Sequence, residues 1–377
     1  MKIKLYLNVC LFAICLSCTD SPQTVIDNVY KVDLEDKIDP FDRIFSKAEI
    51  ISLETSDSCL VAYMQKVYPI KGKLYIYDFW LQNLNVFDHK GNFIRRIGKR
   101  GQGPGEYLNM YDCYVDVRNE EAYFLSLHGI AKCYGCNGEY KGDIVFPARP
   151  HYYSMSLLDD DVVTWSCLEP EDDGCILLFD RNINDTIASY WHDDRMFNNQ
   201  LHHPFHLYDG KTYFSTGLRQ QVYEVTTNGL LPAYIWDFGE YNIKESRLDY
   251  YLSIENPSER NDRILDDYGT ESLPFCMQRQ CQNARYSYVS LQRAIGMRPP
   301  LTHVFYDKTN HRGYAFDELA DGCRMNYPLY FGEDFILTDV FYENREQYKS
   351  ILPESEYKKL ENMKEDDNPY LLKLYFK

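Results

Sequence analysis

Beyond Leu16 the chain has no apolar run long enough to cross a bilayer, which takes about 20 residues. It is also short of positive charge. Forty Lys and Arg stand against 57 Asp and Glu, a formal net charge of −17. Such a surface repels phosphate backbones and no basic aromatic patch interrupts it, which argues against nucleic-acid binding. Catalytic signatures are missing too: there is no Gly-x-Ser-x-Gly and no His-Glu-x-x-His, so neither a nucleophile elbow nor a zincin helix is encoded. Cysteine is present without a disulfide framework. Of 12 cysteines, Cys10 and Cys15 belong to the leader and Cys18 directly follows it. The others, Cys59, Cys113, Cys133, Cys136, Cys167, Cys175, Cys276, Cys281 and Cys323, are scattered and odd in number. Cys133-Tyr-Gly-Cys136 is a lone C-x-x-C on a hairpin turn, outside the strand-to-helix context of a redox motif. The expectation is small buried hydrophobes or one local disulfide.

What is present begins with the leader. Lys2 and Lys4 precede the apolar run Leu5–Leu16, and Ser17 stands before Cys18. A charged start, a short apolar stretch and a small residue describe a secretory signal over residues 1–17. Leu16-Ser17-Cys18 resembles a bacterial lipoprotein signal, although Cys15 occupies a usually aliphatic position. The resemblance implies lipid attachment at Cys18 and an outer-membrane lipoprotein, with the membrane face left open; an ordinary cleaved signal is the alternative. Residues 18–44, polar and with two prolines, are expected to form a tether.

The body of the chain is written in short strands. Leu74–Asp78, Asn85–Asp88 and Phe93–Ile97 follow one another with a tight turn at Lys90–Gly91, and weaker copies recur downstream. Second and third units contain Ala122–Ser126, Ile130–Tyr134, Gly138–Val145, then Val162–Ser166, Ile176–Asp180 and Thr186–Trp191. A fourth contains Lys211–Ser215, Gln221–Val225 and Ala233–Phe238. Apolar and polar residues alternate in each, and Asn-Gly or Lys-Gly punctuates the hairpins. The 34 tyrosines suit half-buried strands with wet tips. Residues 241–298 break the pattern with helical stretches at Lys244–Asn256 and Glu259–Asp267, an insertion in the fifth unit that could be a binding wall or a structural flap. A strand-like stretch, Ala284–Leu291, closes the insertion, and strands resume at Thr302–Asp307, His311–Phe316, Leu329–Phe331, Phe335–Val340 and Tyr370–Phe376. Repeated meanders predict an all-β, six-bladed β-propeller of four-stranded antiparallel blades over residues 45–377. Ala48–Leu53 and Pro369–Phe376 are expected to share a sheet and close the ring.

Residues 72–107 carry a sharper resemblance. Gly72-Lys-Leu-Tyr-Ile-Tyr-Asp78, Asn83–Leu84, Asn85-Val-Phe-Asp88, Gly91-Asn-Phe93 and Ile97-Gly98 are similar to an NHL-type repeat. With Gly101-Gln-Gly-Pro-Gly-Glu-Tyr107, Ile51-Ser-Leu-Glu-Thr55 and Asp367-Asn-Pro-Tyr-Leu371, they resemble a bacterial family of six-bladed β-propeller lipoproteins. That resemblance implies a fold and a location, and no chemistry.

Candidate sites are few. Gly101, Gly103 and Gly105 lack the following helix and Lys-Ser/Thr of a phosphate loop, so they predict an inter-blade connection. His202, His203 and His206 form the densest histidine cluster and are the candidate ligands for a divalent cation, opposed by Pro204 and by the alternation of side chains along a strand. The acidic runs Asp159–Asp161 and Glu169–Asp173 lack the ligand pattern of a calcium loop and are expected to be solvated. Trp80, Trp165, Trp191 and Trp236 are expected mostly between blades. The predicted role is a non-enzymatic binding module for a glycan, peptide or envelope protein, needing no cofactor. The competing role is a lyase or hydrolase working at the channel, with a divalent cation.

Overall fold

Each recognised three-strand unit is completed by a fourth strand. The computed structural model describes residues 28–159, 161–166, 174–191, 203–270, 273–293 and 300–377. In the first five blades the added strand lies innermost: Met64–Ile70, Asp112–Asp116, Tyr152–Leu158, Phe205–Tyr208 and Cys276–Gln282. In the sixth, Tyr330–Phe331 is innermost and the added strand, Phe45–Ile51, is outermost. The result is a ring of six antiparallel blades, a six-bladed β-propeller.

Middle strands carry the apolar load. Lys73–Asp78 and Asn83–Asp88 are buried along nearly their whole length, and Tyr286–Gln292 entirely so, because each blade is covered on both faces by its neighbours. Six apolar clusters fill the gaps between successive blades. Tyr77, Phe124 and Tyr134 seal the first gap and Phe45, Phe305 and Phe316 the fifth. Each such side chain contributes about 1.5–3 kcal/mol of burial. The turns after the third strands of blades one, three and five share one device. Asp88, Asp180 and Asp307 each accept a hydrogen bond from the backbone N–H two residues on, at 2.8, 2.6 and 2.9 Å, an Asx turn.

The two ends of the chain meet as expected. Phe45–Ile51 pairs antiparallel with Tyr370–Phe376, from Phe45 opposite Phe376 to Ile51 opposite Leu371. Tyr370–Phe376 pairs in turn with Phe335–Val340. The seam with blade one is tight. Glu54 N–H donates to the Gly91 carbonyl at 2.8 Å, and a Cβ on Gly91 would lie 1.9 Å from the Ser52 carbonyl oxygen. With φ at +92°, only glycine fits this turn.

The expected tether differs from Val29 onward. Val29–Lys31 adds a parallel strand to the outer edge of blade four, with Tyr30 opposite Trp236. The Tyr30 ring stacks between Tyr234 and Tyr306, at 4.6 and 4.2 Å, and Val32 and Leu34 are buried. The alternation Tyr30, Val32, Leu34 is a strand signal diluted by the charges between them, so this segment straps blades four and five together. Residues 1–27, with the leader and Cys18, lie outside the described residues.

Within 241–298, two helices, Glu245–Leu252 and Pro257–Gly269, precede two strands of blade five. Asn256 caps the second helix, accepting from the Ser258 and Glu259 N–H groups at 2.9 and 3.3 Å, with Pro257 in its first turn. Leu248, Tyr251, Ile264 and Tyr268 enter the cluster between blades four and five. Asp267 ties the helices together, binding Arg247 at 2.7 Å and Tyr251 at 2.8 Å. This is a flap over an inter-blade seam.

Deleting residues 370–377 removes the third strand of blade six and strands Phe45–Ile51 without a partner. We expect the cooperative thermal transition, followed by circular dichroism, to be lost or to fall sharply; a truncated chain melting at the wild-type temperature contradicts this closure.

Candidate functional site

Six inner strands converge on the ring axis and enclose a cavity of about 250 Å³. Every blade contributes to it: Lys66 and Tyr68, Tyr114, Ser156, Phe205 and His206, Arg279 and Gln282, and Phe331. No residue of the helical flap reaches its wall. Val117 and Leu207, 54% and 47% exposed, are part of the lining.

Asp112 organises one side. Its Oδ1 receives Lys66 Nζ at 2.5 Å and the Cys113 N–H at 2.8 Å; its Oδ2 receives Ser154 Oγ at 3.0 Å and the Met155 N–H at 2.9 Å. One carboxylate therefore ties the inner strands of blades one, two and three. Lys66 also donates to the Cys113 carbonyl at 3.1 Å, and Tyr68 OH to the same oxygen at 3.0 Å. Burial, followed by the fields of Cys113 and Asp112, pushes the Tyr68 phenol well above its ordinary range. Burial does the same for Tyr114.

Arg279 reaches from blade five to blade one and is 9% exposed. Its Nη1 donates to the Gln65 carbonyl at 3.2 Å and its Nη2 to the Leu329 carbonyl at 3.3 Å, while its guanidinium lies 5.7 Å from the Tyr327 ring centre. Tyr327 OH meets Tyr63 OH at 3.0 Å, and Tyr63 stacks on Trp80 at 5.2 Å. An aromatic ladder thus runs from Arg279 to Trp80, which is 59% exposed.

Of the histidine cluster, His203 and His206 both reach the cavity wall, and His202 lies outside the described residues. His206 stacks on Tyr213 at 5.1 Å, and its Nε2 is 3.2 Å from the Gln282 amide nitrogen. Burial, then the cations of Lys308 and Arg279, holds its pKa down to about 3, so the ring is neutral at physiological pH. Among the described residues no three His, Cys, Asp or Glu side chains form a metal-ligating group.

The glycine loop joins blades one and two. The Gly103 N–H donates to Glu106 Oε2 at 2.9 Å, and Lys99 pairs with Glu106 at 2.7 Å. The protein's own carboxylate fills the concavity that a phosphate would need, and Tyr107 beside it packs edge-on against Phe124 at 5.2 Å. Cys59, Cys113, Cys133, Cys136, Cys175, Cys276, Cys281 and Cys323 are unbridged thiols. Trp236 is buried and donates from Nε1 to Gln280 across a blade boundary at 3.0 Å; Trp191 packs on Phe214 and Tyr223 of blade four at 5.4 and 5.2 Å. The Trp165 side chain, Asp160 and Glu169–Asp173 lie outside the described residues.

Lys66, Asp112 and Arg279 escaped sequence reasoning. A four-strand count for each unit, extended upstream of each recognised trio, is the signal that could have found them.

Asp112→Asn leaves Lys66 buried without its counter-charge, which costs about 3–5 kcal/mol. We expect a matching fall in the urea midpoint, partly restored by adding Lys66→Met; a midpoint within error of wild type contradicts the network.

No curated protein matches the chain. Among solved structures it is similar to a Bacteroides fragilis NCTC 9343 protein provisionally described as exported, at 19% identity and a TM-score of 0.70, covering 93% of this chain and 99% of that one. A member of the duf4221 family from Bacteroides vulgatus ATCC 8482 is similar at 8% identity and a TM-score of 0.53, covering 88% and 98%. Both likenesses concern the fold. The model of one family matches residues 24–375, spanning all six blades, and the chain belongs to that family, the Domain of unknown function (DUF4934).

Proposed function

We propose that this protein is an exported, lipid-anchored binding module of the bacterial cell envelope, in which the propeller channel receives part of a glycan, peptide or protein ligand. The leader and Cys18 support export and anchoring, as does the likeness to a protein provisionally described as exported. The observation that carries the binding role is the cavity itself. All six blades line it, aromatic faces from Tyr68, Tyr114 and Phe205 alternate with polar groups, and among the described residues no Asp or Glu lines it. Concave, largely apolar sites with a few placed polar groups are what ligands occupy.

The reading as a lyase or hydrolase would draw on His203, His206, Tyr68 and Tyr114. An acid–base catalyst works best with a pKa near the operating pH. The phenols are pushed up and His206 is held down to about 3, which favours binding over catalysis.

A soluble form beginning at Thr19 can be screened against glycans and peptides by thermal shift, with each ligand recovered afterwards. A ligand at 100 times its Kd stabilises by about 2.7 kcal/mol. We expect stabilisation by an organic ligand recovered unmodified, and its loss in Val117→Trp, which narrows the cavity from an exposed position. A ligand recovered as products replaces this reading with the enzymatic one; binding untouched by Val117→Trp moves the site elsewhere.

A further inference from the structure

The charge of the channel is opposite in sign to that of the chain. The protein carries a formal −17, yet among the described residues its cavity is lined by Lys66 and Arg279 and by no Asp or Glu. Lys66 is neutralised behind the wall by Asp112 at 2.5 Å. Arg279 is not. Its guanidinium rests on two backbone carbonyls at 3.2 and 3.3 Å and on the Tyr327 ring, and among the described residues it forms no ion pair with an Asp or Glu. Carbonyl dipoles offset part of the cost of desolvating a guanidinium; a full counter-charge offsets far more. A guanidinium has five N–H donors in a planar fork suited to a two-oxygen acceptor; the two carbonyls take one donor from each of two nitrogens, and the Cys281 thiol, a weak acceptor, is its other side-chain hydrogen-bond partner. Lys308, 4.4 Å from the Tyr208 ring centre, adds to the positive field, since Lys308 and Arg279 together hold down the His206 pKa.

Neighbouring polar groups are also incomplete. Gln278, on the same inner strand as Arg279, is 2% exposed, and neither its amide oxygen nor its nitrogen has a partner. Gln65, whose carbonyl receives Arg279, has an unpartnered Oε1. Buried polar atoms without partners are costly, and these two residues adjoin cavity-lining neighbours, Lys66 on blade one and Arg279 on blade five. Its volume, about 250 Å³, lies just under the usual range for small-molecule pockets, so it admits one ring or one short side chain and no thicker segment.

Resting on the channel as the binding site, we infer that its occupant presents a carboxylate on a compact organic group, which docks on the free edge of the Arg279 guanidinium while Tyr68, Tyr114 and Phe205 contact its apolar faces. An acidic sugar and an acidic side chain share that chemistry.

Calorimetric titration of the soluble form separates the two sources. The probes are glucuronate against glucose, and N-acetylglutamate against N-acetylglutamine. At least one acid should bind, about tenfold or more tighter than its neutral counterpart, and weaken as salt rises. Arg279→Lys keeps the charge and loses the fork, and should weaken that acid by about tenfold; Arg279→Met should abolish its binding. Should Arg279→Met fail to fold by circular dichroism, the lysine variant and the acid-to-neutral ratio decide. Failure of both acids to bind, equal affinity for acid and neutral partner, or an Arg279→Lys protein binding as wild type overturns the inference. Neutral probes bound by wild type and lost in Val117→Trp would leave the channel reading standing without it.

Discussion

Closure of the ring is the constraint on which everything else depends. Phe45–Ile51, from the start of the described chain, completes the sheet that Tyr370–Phe376 builds at the other end. Without it the sixth blade would expose a strand edge, and the cluster between blades five and six would lose Phe45, Ala48 and Ile50. The strap at Val29–Lys31 adds a second tie on the outside of blade four. Ring closure sets the distance of each inner strand from the axis, and so places Lys66, Tyr114, Ser156, His206, Arg279 and Phe331 around one cavity. Long-range sheet pairing holds a site whose members lie more than 200 residues apart.

Within that ring the channel is polarised. Asp112 spends both of its oxygens on blades one, two and three, making that side rigid and electrically neutral. Arg279, reaching in from blade five, rests on two carbonyls, the Tyr327 ring and the Cys281 thiol, with no Asp or Glu paired to it among the described residues. Low local polarity magnifies the attraction of such a cation for an anion.

The outer part of the fold was legible and the inner part was not. Strands such as Leu74–Asp78 and Ile176–Asp180 pack between blades, so they announce themselves by apolar residues and by the turn aspartates that follow. The inner strand Cys-Met-Gln-Arg-Gln-Cys-Gln, residues 276–282, faces the axis and has polar residues where periodicity looks for apolar ones. It was read as part of a polar insertion. Asp112–Asp116 and Phe205–Tyr208 are only five and four residues long, too short for alternation to declare a strand, although His203 and His206 do reach the cavity. The glycine loop was placed correctly as a connection, but the carboxylate that fills it, Glu106, shows only in three dimensions. Features that pack are written as patterns; features that face a channel are written as exceptions to them.

Among the described residues, the channel holds a cation at Arg279 that no Asp or Glu compensates. Crystals soaked in bromide, with anomalous scattering recorded at the bromine edge, test it directly. We expect an anomalous peak inside the channel within contact distance of the Arg279 guanidinium. A channel free of bromide while surface sites are occupied, or an Asp or Glu of this chain seated on that guanidinium, would contradict it.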